Sequence, residues 1–313
     1  MKILITGSSG FIGYNLLRQL RRSEIFNLYL VGLDFDNKGA NSKISNDNLD
    51  DYYCIDLVDR ESLNVLPKDI DLVIHLAALG NVVESVERPM DNFQNNVIGG
   101  INILDWCMKN KVEKFIFSST GGALFGNTKP PVSEESIPAP ISPYGASKAT
   151  LENYIQAFSS SYSMKSIILR FANVIGPYSI HKKGVLNVFF NSYKAKLPLV
   201  IFGDGSSSRD YLHVDDLCAG IVSSIGYLNK DNFKGIQKFH LSSGVDVSIV
   251  ELASKFCKAV KQELPIDFQP CRSGEVEKTF ASNILAKKEL NFTPKSSVDD
   301  AIRDFIKYIN LNT

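Results

Sequence analysis

The chain lacks any apolar run approaching the roughly 20 residues that a membrane-spanning helix needs. Its opening residues carry one charge and a few apolar side chains. Gly7 and Ser8 end that run before it reaches the length of a secretory h-region. It also lacks any C-x-x-C pair, and its five cysteines (Cys54, Cys107, Cys218, Cys257 and Cys271) are odd in number and widely spaced. No disulfide framework and no metal site follow from that pattern, and reduced thiols in the cytoplasm are expected. Excess charge is missing too. Lys+Arg and Asp+Glu number 34 each, so no general basic field exists to hold a nucleic acid. Internal repeats, low-complexity tracts and long linkers are likewise absent.

What is present is an ordinary globular composition, 44% hydrophobic and 22% charged over 313 residues, enough for about two domains. Short apolar runs predict strands at Lys2–Thr6, Leu28–Leu33, Tyr52–Ile55, Leu72–Leu76, Lys114–Ser118 and Ser166–Arg170. Amphipathic stretches predict helices between them at Gly10–Arg22, Glu61–Leu66, Met90–Asn110 and Pro143–Tyr162. Strands rich in Val, Ile, Leu and Phe alternating with helices indicate a doubly wound α/β fold on a mostly parallel sheet. Beyond about residue 172 the pattern loosens. Asn173–Ser179 and Lys196–Arg209 read as loops, while Val185–Lys194, Asp215–Leu228, Val247–Gln262 and Ser297–Ile309 read as helices. Asp246 or Ser248 would cap the third of these, and Ser297 with Asp300 would open the fourth. The expected division is a nucleotide-binding domain over 1–172, with about 211–243 returning to it. A smaller lobe would comprise 173–210 and 244–313.

The first strand runs into Gly7-Ser8-Ser9-Gly10-Phe11-Ile12-Gly13. Glycines let a backbone turn tightly and approach a pyrophosphate, and the helix that follows offers its N–H groups. The spacing is G-x-x-G-x-x-G, one residue longer than the common dinucleotide fingerprint. The second strand ends at Asp34, whose carboxylate suits the adenosine ribose hydroxyls and would repel a 2′-phosphate. That favours NAD over NADP, although Asp36 is close enough to compete. Asp56-Leu57, after the third strand, can hold the adenine edge or cap the next helix.

Tyr144 and Lys148 stand four residues apart, on one face of a helix. A phenol with an ordinary pKa near 10 is a poor base at neutral pH. A neighbouring ammonium, together with a positive nicotinamide ring, would favour the phenolate. Ser118-Ser119-Thr120-Gly121-Gly122 follows an apolar strand, where hydroxyls face the ligand crevice of an open α/β sheet. Thr120 is placed to hydrogen-bond a substrate oxygen beside Tyr144.

Taken together, G-x-x-G-x-x-G, His75-Leu76-Ala77-Ala78, Ser118-Ser119-Thr120 and Y-x-x-x-K resemble the extended short-chain dehydrogenase/reductases. More narrowly, the chain resembles the nucleotide-sugar epimerase/dehydratase family, closest to its UDP-hexose 4-epimerases, over essentially its whole length. Glu84-Ser85-Val86-x-x-Pro89, Asn95-Asn96-Val97-x-Gly99, Leu169-Arg170-Phe171-Ala172-Asn173, Arg209-Asp210-Tyr211 and Arg272-x-Gly274-Glu275 fit the same family. The resemblance implies NAD held by Gly7, Gly10, Phe11, Ile12, Gly13, Asp34, Asp56, Leu57, Leu76, Ala77, Ala78, Asn95, Tyr144 and Lys148. It implies a UDP-sugar contacted by Ser85, Thr120, Asn173, Val185, Arg209, Arg272, Glu275 and Thr279. Thr120, Tyr144 and Lys148 would form the catalytic group. A homodimer through a four-helix bundle, built from the Met90–Asn110 and Pro143–Tyr162 segments, is also implied.

Three positions depart from the family pattern: Phe125 where Tyr is frequent, Tyr178 where Arg is frequent, and Leu79-Gly80 where Gln or Lys is common. Thr120 is followed by Gly121-Gly122-Ala123, whereas the family's dehydratases and decarboxylases carry an acid there. This favours plain 4-epimerisation: transient oxidation at C4 to a 4-keto sugar, then return of hydride to the opposite face. Thr279, at a position that is bulky in enzymes restricted to UDP-glucose and UDP-galactose, leaves room for an N-acetyl group. The expectation therefore leans to UDP-GlcNAc/GalNAc. Alternatives are UDP-glucuronate, with Lys182 and Lys183 as its partners, a 4-keto-sugar reductase, or a catalytically silent NAD-binding protein.

Overall fold

The computed structural model describes residues 1–23, 27–35, 48–180, 182–271 and 276–312. Its strands are β1 (Lys2–Thr6), β2 (Tyr29–Asp34), β3 (Asp51–Cys54), β4 (Leu72–His75), β5 (Lys114–Thr120), β6 (Lys165–Phe171), β7 (Asn173–Ile175), β8 (Leu199–Phe202), β9 (Ser208–His213), β10 (Ile236–Leu241), β11 (Asp246–Ser248), β12 (Ile266–Gln269) and β13 (Lys278–Thr279). Seven of them form one parallel sheet in the order β10-β6-β5-β4-β1-β2-β3. The order reverses between β1 and β4. A crevice opens at such a switch point, at the carboxyl ends of the strands.

Both faces of the sheet are buried, and strand alternation shows how. Ile3 and Ile5 point into one core with Leu16, Leu17 and Leu20 of the helix Phe11–Arg22 and Leu217, Ile221 and Ile225 of the helix Val214–Leu228. Leu4 points the other way, with Phe115, Phe117 and Ile168, against Ile103 and Leu104 of Gly99–Lys109 and Leu151 and Ile155 of Pro143–Tyr162. A residue buried on either face must be apolar, hence the near-continuous apolar runs. A separate core builds the second lobe. Phe189, Phe190, Phe256 and Phe305 meet there, from the helices Val185–Ala195, Ile249–Val260 and Val298–Asn312.

Several elements differ from the sequence expectation, each for a physical reason. β7, β8 and the start of β9 lie in stretches read as loops. They are short, and they become strands by pairing far away: β7 and β13 with β9, β8 with β12. β10 was not anticipated as a strand and completes the main sheet beside β6. The single helix expected over Met90–Asn110 is Pro89–Phe93, a π turn at Gln94–Ile98, and Gly99–Lys109. The Glu61–Val65 segment is a 3₁₀ turn. Ser248, rather than Asp246, caps its helix by accepting from the Glu251 amide at 3.1 Å. Ser297 and Asp300 exchange reciprocal bonds of 3.1 and 2.9 Å, a capping box. Among the described residues, no helix is long and apolar enough to cross a membrane.

Among the described glycines, the one with least space for a side chain is in the first turn. A Cβ built on Gly13 would lie 2.1 Å from the Gly7 carbonyl oxygen and 2.8 Å from the Ser8 Cα, both backbone atoms. Gly13→Ala should therefore destabilise the protein by about 1–3 kcal/mol in spite of alanine's higher helix propensity. Urea unfolding checks this; unchanged or increased stability would show that the loop yields without cost.

Candidate active site

The Gly-rich turn sits at the switch point. Gly7 has φ +73°, and its amide donates to the Leu33 carbonyl at 2.8 Å. A Cβ there would lie 2.8 Å from the Ala77 amide nitrogen, so the β1 turn and the end of β4 touch through bare backbone. The Ala77 amide also donates to Thr6 Oγ1 at 3.2 Å, which sets Leu76, Ala77 and Ala78 along the crevice. Gly10 is the exposed N-cap of Phe11–Arg22 and has no side chain to cap it. The amides of Phe11, Ile12 and Gly13 thus open the helix without a side-chain acceptor, a ready anion site. These features fit a dinucleotide pyrophosphate.

Asp34 closes β2 beside this turn. Its carboxylate accepts from Ser8 Oγ at 2.5 Å and from the Ser9 amide at 3.0 and 3.1 Å. Burial raises its pKa, and those hydrogen bonds oppose the rise. Asp36 lies outside the described residues. Asp56 accepts from the Val58 amide at 2.9 Å, and the Leu57 carbonyl accepts from Asn102 at 2.9 Å, so both belong to a braced turn after β3.

Pro143–Tyr162 begins with Ser142, whose hydroxyl accepts from the Gly145 amide at 3.2 Å, and with Pro143 at the first helical position. This start places Tyr144 in the first turn and Lys148 one turn later, against the end of β5. Lys148 Nζ donates to the Ser118 carbonyl at 2.8 Å and lies 4.7 Å from the Phe117 ring centre and 5.9 Å from that of Tyr144. The Tyr144 amide donates to Ser85 Oγ at 3.1 Å, so Ser85 braces the helix start. Thr120 Oγ1 accepts from the Gly122 and Ala123 amides, each at 3.3 Å. Burial pushes the Tyr144 phenol up to about 12, while a hydrogen bond with Thr120 draws it down. Burial also pushes the Lys148 ammonium down to about 7, opposed by the charge of Glu152. Without a further positive charge, the proton rests on the phenol.

Of the residues expected on the substrate side, Asn173 and Thr279 come together from distant parts of the chain. Asn173 on β7 faces Tyr211 on β9, and Thr279 on β13 faces Arg209 on β9. A cavity beside the β5 end is lined by Gly121, Gly122, Asn173, Asp210, Thr279 and Phe280, among others. Arg209 donates to the Ser208 and Glu277 carbonyls at 2.8 and 3.1 Å. Val185 opens the helix Val185–Ala195 behind Gly184, which offers no side-chain cap. Arg272 and Glu275 lie outside the described residues. Of the two lysines considered for a carboxylated sugar, Lys183 is ion-paired with Glu84, and Lys182 Nζ lies 5.1 Å from the Phe11 ring centre.

At two of the positions that depart from the family pattern a guanidinium lies against the aromatic ring. The Arg170 guanidinium lies 5.2 Å from the Phe125 ring centre, and the Arg18 guanidinium 4.7 Å from that of Tyr178. Asn95 donates to its own helix at Asp91, 2.9 Å away. Its neighbour Asn96 is the buried one. It accepts from the Leu79 amide at 2.8 Å and donates to the Leu79 carbonyl at 3.2 Å and to Ser147 Oγ at 3.0 Å. The π turn aims Asn96 inward. Sequence reasoning passed over Asn96, and also Ser119 and Glu152, although Glu152 continues the Tyr144–Lys148 spacing by one more turn.

A family model described as "NAD dependent epimerase/dehydratase family" matches residues 3–232. The chain belongs to that family. It is 32% identical to a UDP-glucose 4-epimerase of Yersinia enterocolitica, over 100% of this chain and 98% of that protein. The crystal structure of UDP-glucose 4-epimerase from Thermotoga maritima with UDP-glucose superposes with a TM-score of 0.89 at 30% identity, covering 100% and 99% of the two chains. UDP-glucuronic acid 4-epimerase of Bacillus cereus, solved with UDP-glucuronic acid and NAD, gives 0.89 at 28% identity over 100% of both chains. The group that this family binds is NAD, and the turn, Asp34 and the Tyr144–Lys148 pair fit it.

Two buried histidines give this family member an acid limit. Burial, then Lys148, pushes His75 down to about 3; burial, then Arg170, pushes His240 down to about 3. The native state keeps both neutral where an unfolded histidine, with a pKa near 6.5, takes up a proton. The unfolded state then binds more protons, so stability falls as pH drops from about 6.5 toward 3. Burial of Asp34 and Asp210 raises their pKa values and acts in the opposite sense, so a histidine variant is needed to isolate the effect. His240→Phe should flatten the loss across that window in urea unfolding. An unchanged pH slope would refute the assignment.

Proposed function

We propose that the protein is a UDP-hexose 4-epimerase that prefers the UDP-N-acetylglucosamine/UDP-N-acetylgalactosamine pair and also accepts UDP-glucose and UDP-galactose. The observation that carries this is the make-up of the cavity at Gly121 and Gly122, directly after Thr120. Elimination of water from the sugar needs an extra acid–base group, and Gly121-Gly122 offers none. Among the described residues lining the cavity the one acid is Asp210, and its carboxylate is engaged by the Ser243 and Gly244 amides at 2.8 and 2.9 Å. Epimerisation at C4 needs a single proton acceptor and donor, which Tyr144 supplies.

Bound NAD supplies the two-electron acceptor and a positive ring charge that favours the phenolate. Tyr144 then takes the C4 hydroxyl proton and later returns it. Thr120 aligns that proton path, and Lys148 holds the ribose and tunes the phenol. Asn173, Arg209 and Arg272 hold the diphosphate, Glu275 takes the nucleotide ribose, and Ser85 and Val185 complete the substrate side. The Gly-rich turn, Asp34, Asp56-Leu57, Leu76-Ala77-Ala78 and Asn95 hold the cofactor. Sugar size is set at Thr279. A Cβ on Gly122 would sit 3.4 Å from Thr279 Oγ1, so both positions border the space beside the active-site strand and both are small. The glucuronate reading is weaker here, because the Lys183 charge is already paired with Glu84.

Incubation with UDP-GlcNAc and no added cofactor, followed by proton NMR, should show the C4 epimer, and Tyr144→Phe should lose at least about 100-fold in turnover. Thr279→Tyr should selectively depress the acetylated pair. Equal loss on both pairs would sink the size argument, and absence of any C4 epimer from UDP-GlcNAc, UDP-glucose and UDP-glucuronate would sink the reading.

The protein is also proposed to be a homodimer through the segments Pro89–Lys109 and Pro143–Tyr162. Phe93, Tyr154 and Tyr162 are 44%, 43% and 54% exposed on them, large apolar surface for a monomer to leave in water. Sedimentation equilibrium should give twice the chain mass, and Tyr154→Glu should give monomer. A monomeric parent protein would refute it.

A further inference from the structure

Tyr144, Lys148 and Glu152 occupy successive turns of one helix face, directed at the sheet. Glu152 and Arg170 form an ion pair with side chains only 3% and 1% exposed. The pair is bidentate, with Nε to Oε1 at 3.1 Å and Nη2 to Oε2 at 2.8 Å. Such a pair gains little over packed apolar side chains, because both charges lose their hydration. Its retention asks for another reason, and the third partner of the carboxylate provides one. Ser119 Oγ donates to Glu152 Oε1 at 2.6 Å.

Ser119 stands between the two groups that contact the proton-transfer pair. The Ser118 carbonyl holds Lys148 Nζ, and the Thr120 hydroxyl acts on Tyr144. We propose that Glu152, clamped by Arg170, is a positioning residue that fixes the end of β5 through Ser119 and supplies the counter-charge that keeps Lys148 cationic in a water-poor site. The inference rests on the 4-epimerase reading for its kinetic consequence, but its electrostatic part does not.

The surroundings of Lys148 support this. From β5 it meets the Phe117 ring and the Ser118 carbonyl; from β4 it meets His75, which burial keeps neutral; along its own helix it meets Tyr144 and Glu152. Among the described residues, the acid one turn away from Lys148 on the same buried helix face is Glu152. Arg170 prevents this carboxylate from collapsing onto Lys148, because both of its oxygens are already bound. Arg170 is itself held by the Glu134 carbonyl at 3.1 Å and by Phe125, so the clamp extends into the loop after β5.

Glu152→Gln keeps shape and a hydrogen-bonding oxygen for Ser119 but removes the charge. It should lower kcat about tenfold at neutral pH with KM within about twofold. The alkaline limb of kcat against pH should move to lower pH, since Lys148 loses its proton more readily. Ser119→Ala, which cuts only the link to β5, should lower kcat without moving that limb. The readout that does not need turnover is the Lys148 ¹³Cε signal of lysine-labelled protein, assigned with Lys148→Met, which should titrate at lower pH in Glu152→Gln. If Glu152→Gln fails to fold because Arg170 is orphaned, Glu152→Gln/Arg170→Met removes both charges and should show a shift of the same sign, smaller because the cation that opposes Glu152 is lost with it. An unchanged Lys148 titration overturns the proposal, as does an unchanged kcat in both Glu152→Gln and Ser119→Ala. If the parent protein turns over no UDP-sugar while the Lys148 shift is seen, the functional reading fails and the electrostatic role stands.

Discussion

The rest of the structure depends on keeping one ammonium out of water. Lys148 is buried beside a phenol, and burial moves the two in opposite directions: the ammonium down to about 7, the phenol up to about 12. Each shift alone would leave a poor proton relay. Around them the fold has built polar side chains at the carboxyl ends of neighbouring strands: Thr6, His75, Ser119 and Arg170 on β1, β4, β5 and β6, and His240 on the edge strand β10. Thr6 Oγ1 meets His75 Nδ1 at 2.7 Å, and Ser119 reaches the Glu152–Arg170 pair. The apolar sheet therefore changes character over the last few residues of these strands, Thr6 and His75 in register with Phe117 and Ser119 with Arg170 two residues further on, where ligands bind in this architecture.

Placing the helix is the second requirement. A helix crossing this layer must start at the right height, and its start is fixed from three sides. Ser142 caps it, Pro143 presets its first turn, and Ser85 accepts the Tyr144 amide. Asn96 then ties Ser147 to the Leu79 backbone from the neighbouring helix. The π turn at Asn96 interrupts an otherwise continuous helical segment, and Asn96 there satisfies both the amide and the carbonyl of Leu79.

What could be read from the sequence was what is locally encoded. The Gly-rich turn, Asp34, the Y-x-x-x-K spacing and the apolar central strands each announce themselves within a few residues, and the doubly wound sheet follows from their alternation. β7, β8 and β13 did not, because two to four residues rich in loop-like neighbours become strands only through partners tens of residues away. The inward turn of Asn96 rather than Asn95 depends on a π turn that has no periodic signature. Glu152 had a signal, one further step of four along the helix. Arg170 sat in a motif read only for Asn173, and its pairing is a fact of strand register. Arg272 and Glu275 rest on sequence alone.

The same chemistry explains why small changes at the end of β5 can redirect such a site. The proposed core, a phenol, an ammonium and a hydroxyl, is suited to move a proton at one oxygen, while NAD, when bound, would take up the hydride of the adjoining carbon and return it. What happens to the intermediate depends on which acids can reach it. Here Gly121 and Gly122 add no carboxylate, and Asp210 spends both oxygens holding the Ser243–Gly244 turn. On the proposed reading an intermediate here would meet Asn173, Thr279 and Phe280, with no free carboxylate among the described residues lining the cavity. Its available course is to present its other face and be reduced again. On the proposed reading epimerisation is the outcome left when the site withholds further acid–base groups, and the small residues Gly122 and Thr279 are proposed to leave room for the sugar that turns.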